Sequence, residues 1–279
     1  MAIDVSVVIP TFRRPELLGQ TLGSVLRQRG VTLEVLVVDD SPEGSAEAVV
    51  TACGDPRVSY LQTPAPSGGF PSAVRNFGWP MARGAVMHFL DDDDLVPDGH
   101  YAAVLPAFAE AGEIGVVFGR VEPFGEASAS QMRHEHGFFR DAARRAAACR
   151  RFGRKLGFTA GMMFSSTLFV CGAALIRGDC VRRLGGFDGQ IRLGEDIDFF
   201  GRAMRQFGAR FIDRVALRYR IGSPSLMHAP VLSEREIQQL RDGIQRMHRK
   251  YRAERGLGEF YAMKGFSRLV LAPCTAMLR

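Results

Sequence analysis

Phe89-Leu90-Asp91-Asp92-Asp93-Asp94 closes an apolar run that begins at Ala85 and breaks into four consecutive acids. Two ionised carboxylates about 5 Å apart repel by roughly 3 kcal/mol at an effective dielectric of about 20. A chain that gathers four of them either holds a cation or leaves them in a solvated acidic turn, which also suits the N-terminus of the helix expected near Pro97. Carboxylate oxygens match hard divalent ions such as magnesium or manganese, which keep positions open for substrate phosphates. In an extended segment, Asp91 and Asp93 point one way and Asp92 and Asp94 the other.

Upstream of this junction, Ser6-Val7-Val8-Ile9 reads as a short buried strand ending at Pro10-Thr11, and Pro15 opens a helix with Leu17, Leu18, Thr21, Leu22, Val25 and Leu26 on one face. Leu33 to Val38 is a second strand, ending in Asp39-Asp40; Ser45 to Ala52 is a weaker helix, and Val58 to Leu61 a third strand. A Pro, Ser and Gly-rich loop follows, then a helix carrying Arg75 and Asn76, the aspartate strand, a helix over Asp98 to Ala111 and a strand over Ile114 to Phe118. Continuous apolar strands alternating with helices give a parallel sheet covered on both faces. Ligands of such sheets bind beyond the carboxyl ends of the strands, so Thr11, Asp39 and the aspartates are expected to rim one crevice.

From Gly125 to Gly161 the pattern changes to a basic, partly helical insertion without strand signals, expected to act as a lid or to face the acceptor. Gln131 to Lys155 alone carries eight Lys or Arg against two acids, enough to account for the net charge of +6. Such a patch suits an anionic partner or is simply a solvated face. Phe169 to Ile176 returns to strand character with a small-residue interruption at Gly172-Ala173-Ala174, Arg177 to Leu184 is a brief helix, and Gly185-Gly186-Phe187-Asp188 is a turn. Gly194 precedes a helix with Glu195 and Asp196 in its first turn and Ile197, Phe200, Met204 and Phe207 at helical spacing. Arg210 to Val215 and Leu217 to Tyr219 read as two edge strands. Ser233 with Glu236 forms a capping box opening a helix whose stripe is Ile237, Leu240, Ile244, Met247 and Tyr251.

A chain of 279 residues, 46% hydrophobic and 24% charged, can bury one generous core. No secretory signal or bilayer-spanning segment is visible, and the five cysteines show neither zinc-site spacing nor an even count for a disulfide framework. A cytoplasmic location is the expectation. The tail from Phe260 to Arg279 mixes Lys264, Arg268 and Arg279 with apolar residues as an interfacial membrane helix does, although Pro273 interrupts it. The absence of a Walker loop and of a Gly-x-Gly-x-x-Gly fingerprint weakens kinase and dehydrogenase readings.

Four ordered blocks together resemble the inverting family 2 of nucleotide-sugar glycosyltransferases, over roughly residues 3 to 222: Val7 to Phe12; Val35 to Ser41; Ala73-Val74-Arg75-Asn76 with Phe89 to Asp94; and Ala174 to Arg177, Gly185 to Asp188 and Gly194-Glu195-Asp196. The resemblance implies an α/β fold of the glycosyltransferase A type, a Rossmann-like, mostly parallel sheet flanked by helices. It divides the chain into a transferase domain, 1–222, and a C-terminal helical extension, 223–279. Within the domain the donor-binding half covers about 1–120, the insertion about 125–161 and the acceptor-binding half about 162–222.

The resemblance further implies that Pro10, Thr11 and Asp39 hold the nucleotide base, that Arg75 supports the base or diphosphate, and that Asp91 or Asp92 faces the ribose. Asp93 is then the direct ligand of a divalent ion, Mn2+ or Mg2+, in a register that four adjacent aspartates leave open by one residue. His228 is a second metal-ligand candidate, although the family's usual position after Arg220-Ile221 is Gly222 here. Asp196 resembles the family's general base. The expected partners are a nucleotide-sugar donor, a uridine diphosphate sugar by preference, and a saccharide or polyprenyl-linked acceptor at the inner face of the membrane. No nucleic-acid partner is expected. Lacking a Gln-x-x-Arg-Trp motif, the chain is expected to be non-processive. The alternative is a catalytically silent relative that binds sugar nucleotide or a partner enzyme.

Overall fold

The computed structural model describes residues 2–109, 114–222 and 233–276. Seven strands form a single sheet: β1 (Val5–Thr11), β2 (Leu33–Asp39), β3 (Val58–Gln62), β4 (Val86–Phe89), β5 (Val116–Gly125), β6 (Ala174–Arg177) and β7 (Ala209–Ile221), in the spatial order β3-β2-β1-β4-β6-β5-β7. Only β6 runs against its neighbours; β1 pairs in parallel with β2 and β4, β2 with β3, and β5 with β7. The absence of polar alternation in β1, β2 and β4 follows from this position, because helices cover both sheet faces and Val5, Val7, Val8 and Ile9 are wholly buried.

The helices are α1 (Pro15–Leu26), α2 (Glu47–Cys53), α3 (Pro71–Gly78), α4 (His100–Ala109), α5 (Ala129–Arg150), α6 (Phe158–Phe164), α7 (Gly178–Leu184), α8 (Glu195–Phe207), α9 (Glu234–Phe266) and α10 (Ala272–Ala276). Proline opens α1 and α3, where its missing N–H costs nothing. Ser233 and Glu236 make the expected reciprocal cap on α9. Between α9 and α10 the helix widens at residues 267–271, directly before Pro273, whose ring would collide with the carbonyl four residues back in a regular turn. The expected break at Pro273 is thus absorbed without ending the helical path.

Three expectations change in detail. The two edge strands are one, β7, because Ala216 between them is fully buried and the irregularity is taken up as a register shift opposite Phe118 to Val121. The strand expected from Phe169 starts only at Ala174, because the interruption expected at Gly172-Ala173-Ala174 is a tight turn over Cys171 to Ala173 with no strand before it. On α9, Met247 and Tyr251 are buried as expected but Ile237 and Ile244 are exposed, so the first turns of that helix dock by another route. Gly243 provides it: a Cβ there would come within 2.6 Å of the Leu193 carbonyl oxygen, so only glycine lets α9 ride so close.

Candidate active site

The chain ends of β1 and β4, the start of α8, one face of α5 and the first turns of α9 enclose a cavity of about 890 Å3. Its floor is the aspartate segment. Asp94 N–H donates to the Asp91 carbonyl at 3.3 Å, which bends the segment into a turn rather than the extended strand on which an alternating arrangement depends. Asp91, Asp92 and Asp93 all line the cavity, and Asp94 alone turns inward, fully buried.

The turn is held from three sides. Thr11 Oγ1 donates to Asp92 Oδ2 at 2.7 Å from the end of β1. Arg14 Nη1 lies 3.1 Å from Asp93 Oδ2 and 3.4 Å from Asp92 Oδ1. Arg220, at the end of β7, donates from Nε to the Asp93 carbonyl at 2.7 Å and from its backbone N–H to Asp94 Oδ1 at 2.9 Å. Burial lifts the Asp92 carboxyl to about 7 despite Thr11 and Arg14. Asp93 is raised by burial and by Asp91, and Asp94 is raised well above the carboxylate range by burial and by Asp93. Crowded acids that resist ionisation in this way mark a place where a cation is favourable.

Arg75, on α3, lines the same cavity. Its Nη2 donates to Asp91 Oδ1 and its Nη1 to Glu195 Oε1, both at 2.6 Å, and its guanidinium lies over the Phe187 ring with 5.4 Å to the centroid. Phe187 in turn stacks on Phe199 and meets Phe89 edge-on. The Gly-Gly-Phe-Asp turn therefore supplies the apolar support under a buried cation. Asn76 fixes that turn, with Nδ2 donating to the Phe187 carbonyl and Oδ1 accepting from the Phe187 N–H, both at 2.9 Å.

Glu195 and Asp196 open α8. Gly194 precedes them at φ +79°, a conformation open to glycine that turns the chain so that the first-turn acids meet the cavity. Asp196 is half-buried and accepts from the Ile197 N–H at 2.8 Å. Burial and the neighbouring Glu195 raise its carboxyl to about 7, against the opposing pull of Arg75. Two residues further on, Asp198 is buried against Arg202 at 2.8 Å and Lys250 of α9 at 3.3 Å; Lys250 also meets Asp188, which Arg246 joins at 2.9 Å. Apolar contact adds to this, since Leu240 of α9 lines the cavity beside Gly194.

The expected residues are not all gathered here. Pro10, Thr11, Arg75, Asp91, Asp92, Asp93 and Asp196 line the cavity. Asp39 does not: fully buried, it accepts from the Ser41 N–H and hydroxyl on one oxygen, and from the Ala46 N–H and Tyr60 hydroxyl on the other, so its carboxylate is spent closing the turn after β2. Asp40 likewise anchors the loop before α3, accepting from Thr63 and from the backbone of Ser67 and Gly69. His228 lies outside the described residues. Sequence reasoning missed Arg14, which has no motif signal, and the α5 side chains Gln131, His134, Glu135, Phe138 and Phe139, whose one-sided spacing was hidden by the surrounding arginines.

Asp93 and Asp91 each commit one carboxylate oxygen to a guanidinium and keep the other for a ligand, a hard oxygen set that fits Mg2+ or Mn2+ sharing its remaining positions with phosphate. Among the described residues no three His, Cys, Asp or Glu side chains converge on one point, so such an ion would depend on substrate oxygens for much of its shell.

Residues 6–173 match the family model described as "Glycosyl transferase family 2". The succinoglycan biosynthesis protein ExoO of Rhizobium meliloti is 36% identical over 114 residues, 40% of this chain and 32% of that protein. The GalNAc(5)-diNAcBac-PP-undecaprenol beta-1,3-glucosyltransferase of Campylobacter jejuni is 32% identical over 102 residues, 36% of this chain and 33% of that one. The matched region thus spans about a third of these relatives' length. Among solved structures, the mannosyltransferase PcManGT from Pyrobaculum calidifontis in complex with GDP-Man and Mn2+ superposes with a TM-score of 0.63 at 17% identity, covering 99% of this chain and 74% of that one. S. aureus TarS 1–349 in complex with UDP-GlcNAc gives 0.58 at 17% identity, covering 96% and 76%. At such identity the likeness is one of fold, and that fold is the glycosyltransferase A type.

Proposed function

The chain belongs to glycosyl transferase family 2, and from that membership and its cavity we propose that it moves a sugar from a nucleotide donor, a uridine diphosphate sugar by preference, to a hydroxyl of a saccharide or lipid-linked acceptor with inversion at the anomeric carbon. The reading places it in bacterial-type surface polysaccharide or glycoconjugate synthesis, in keeping with the names of the relatives it matches. One observation carries it. The aspartate turn after β4, with Asp91 and Asp93 at the cavity wall, and the Asp196 carboxyl at the start of α8, raised to about 7, open onto the same cavity from opposite elements.

In this reading Asp93 and Asp91 hold the divalent ion, and Pro10 and Thr11 border the nucleoside. The ion, when bound, stabilises negative charge growing on the departing diphosphate without proton transfer. Arg75 keeps Asp91 and Glu195 in place, one with each arm of its guanidinium. Asp196 takes the proton of the attacking hydroxyl, a task for which a carboxyl near neutrality is well matched. The far wall, formed by α5 and Leu240, receives the acceptor.

The test is a screen of nucleotide sugars with manganese, first for thermal stabilisation and then for donor turnover with and without saccharide and polyprenyl-phosphate acceptors. A donor that stabilises the protein and is consumed in the presence of an acceptor supports the reading. Binding without turnover for every donor and acceptor supports the silent relative instead, and no binding at all overturns both.

A further inference from the structure

We propose that the segment running from the end of α9 through α10 lays an apolar face on an anionic membrane surface. The inference rests on the protein's outer surface and is independent of the reaction assigned to the cavity.

The segment is apolar on two sides. Phe260, Met263 and Leu271 are buried in the common core. On the opposite side Leu257 is 60%, Tyr261 60% and Leu269 79% exposed, and Ala262 and Ala272 are exposed beside them. These outward residues recur at helical spacing, so they form a stripe rather than scattered singletons. A surface helix normally turns charge outward; one with apolar residues on both faces has an unsatisfied side. Among the described residues no helix is long and apolar enough to cross a membrane; an outward apolar stripe beside cations is the pattern of a segment that lies on one.

Charge identifies the occupant. Between residues 257 and 276 the single acid, Glu259, is turned toward the protein, where it accepts from Arg205 and from the Tyr251 hydroxyl. The basic residues are Lys264 and the exposed Arg268. Phe152, just past the end of α5, meets Phe266 edge-on at 5.0 Å, and its chain neighbours Arg151 and Arg154 are exposed. From residue 260 to 276 the segment carries cations and no acid, so its apolar stripe is complementary to lipid head groups of negative charge, with Leu257, Tyr261 and Leu269 reaching the acyl boundary.

The test is flotation of the full chain with phosphatidylcholine vesicles and with vesicles of phosphatidylcholine and phosphatidylglycerol, at low and high salt. Wild type is expected to float with the anionic vesicles and to lose most of that binding in high salt. Tyr261→Asp with Leu269→Asp should lower the bound fraction about tenfold or more while leaving the melting temperature and far-ultraviolet dichroism unchanged, because both side chains are exposed. Arg268→Glu should lower anionic-vesicle binding without touching the apolar stripe. Equal flotation of wild type and the double variant, or no preference for anionic over neutral vesicles, would overturn the proposal. So would a stable wild-type dimer in solution that the same double substitution dissociates, since the face would then meet a second copy of the chain.

Discussion

Arg75 and Glu195, separated by 120 residues of sequence, meet at 2.6 Å, and the same guanidinium holds Asp91 at the same distance with its other arm. One buried cation thus joins the aspartate turn to the helix that carries Asp196. Arg75→Met leaves two carboxylates facing each other with no counter-charge and should cost about 3–5 kcal/mol in urea unfolding, the usual penalty for stripping one partner from a buried pair. Arg75→Lys keeps the charge but offers a single ammonium where a fork spanned two acids, and should recover only part of that loss. Because Arg75 lowers the Asp196 carboxyl, the methionine variant should also move the midpoint of the rate profile to higher pH; an unmoved midpoint would show that the arginine only supports the fold.

Asp196→Asn should cut sugar transfer by roughly 10²–10⁴-fold while leaving donor affinity unchanged, because the lost step is proton removal from the acceptor. The sign of the pH dependence follows from the same group. Only its ionised form accepts a proton, and burial with Glu195 raises it to about 7, so kcat/KM should climb as pH rises through about 7 and level off above. Turnover that is flat across that window would remove Asp196 from the reaction.

Asp93→Ala should abolish the part of donor affinity that depends on manganese and leave the metal-free affinity untouched. Calorimetric titration of a nucleoside diphosphate with manganese and with a chelator separates the two. A variant that keeps the full manganese effect would move the metal to the neighbouring aspartates, and a wild type with no manganese effect would remove it from the site.

Asp188→Asn should detach the middle of α9 from the Gly-Gly-Phe-Asp turn and lower stability by about 2 kcal/mol, allowing for partly exposed cations. Arg246 and Lys250 overcome the burial cost and hold the Asp188 carboxyl well below its ordinary range. The stabilisation is therefore complete above the unfolded value and fades as pH falls toward the folded one. The gap between wild type and variant in denaturant midpoint should be full at neutral pH and narrow in acid; a gap independent of pH would point to packing alone.

Much of this architecture is legible in the chain because its local signals agree. The largely apolar runs Ser6–Ile9 and Leu33–Val38, the proline at the start of α1 and the Ser233 cap each have one physical reading, and the structure has β1, β2, α1 and α9 there. What escaped is long-range. No local pattern says that Asp39 folds back on Ser41 and Ala46, since an acid at a strand end looks the same whether it faces a ligand or its own turn. Nor does a row of four aspartates reveal that it bends, because the turn is held by Thr11, Arg14 and Arg220 from distant parts of the chain. The α5 face was obscured for a different reason: its arginines dominate the composition, while the residues lining the cavity are two phenylalanines, a glutamine, a histidine and a glutamate.

β6 sits between β4 and β5, hydrogen-bonded to both. The portion that ends in the aspartates and the portion that leads to α8 are consequently stitched through one continuous backbone ladder, and no hinge separates them. Parting the two portions to admit substrate would mean tearing the central sheet itself.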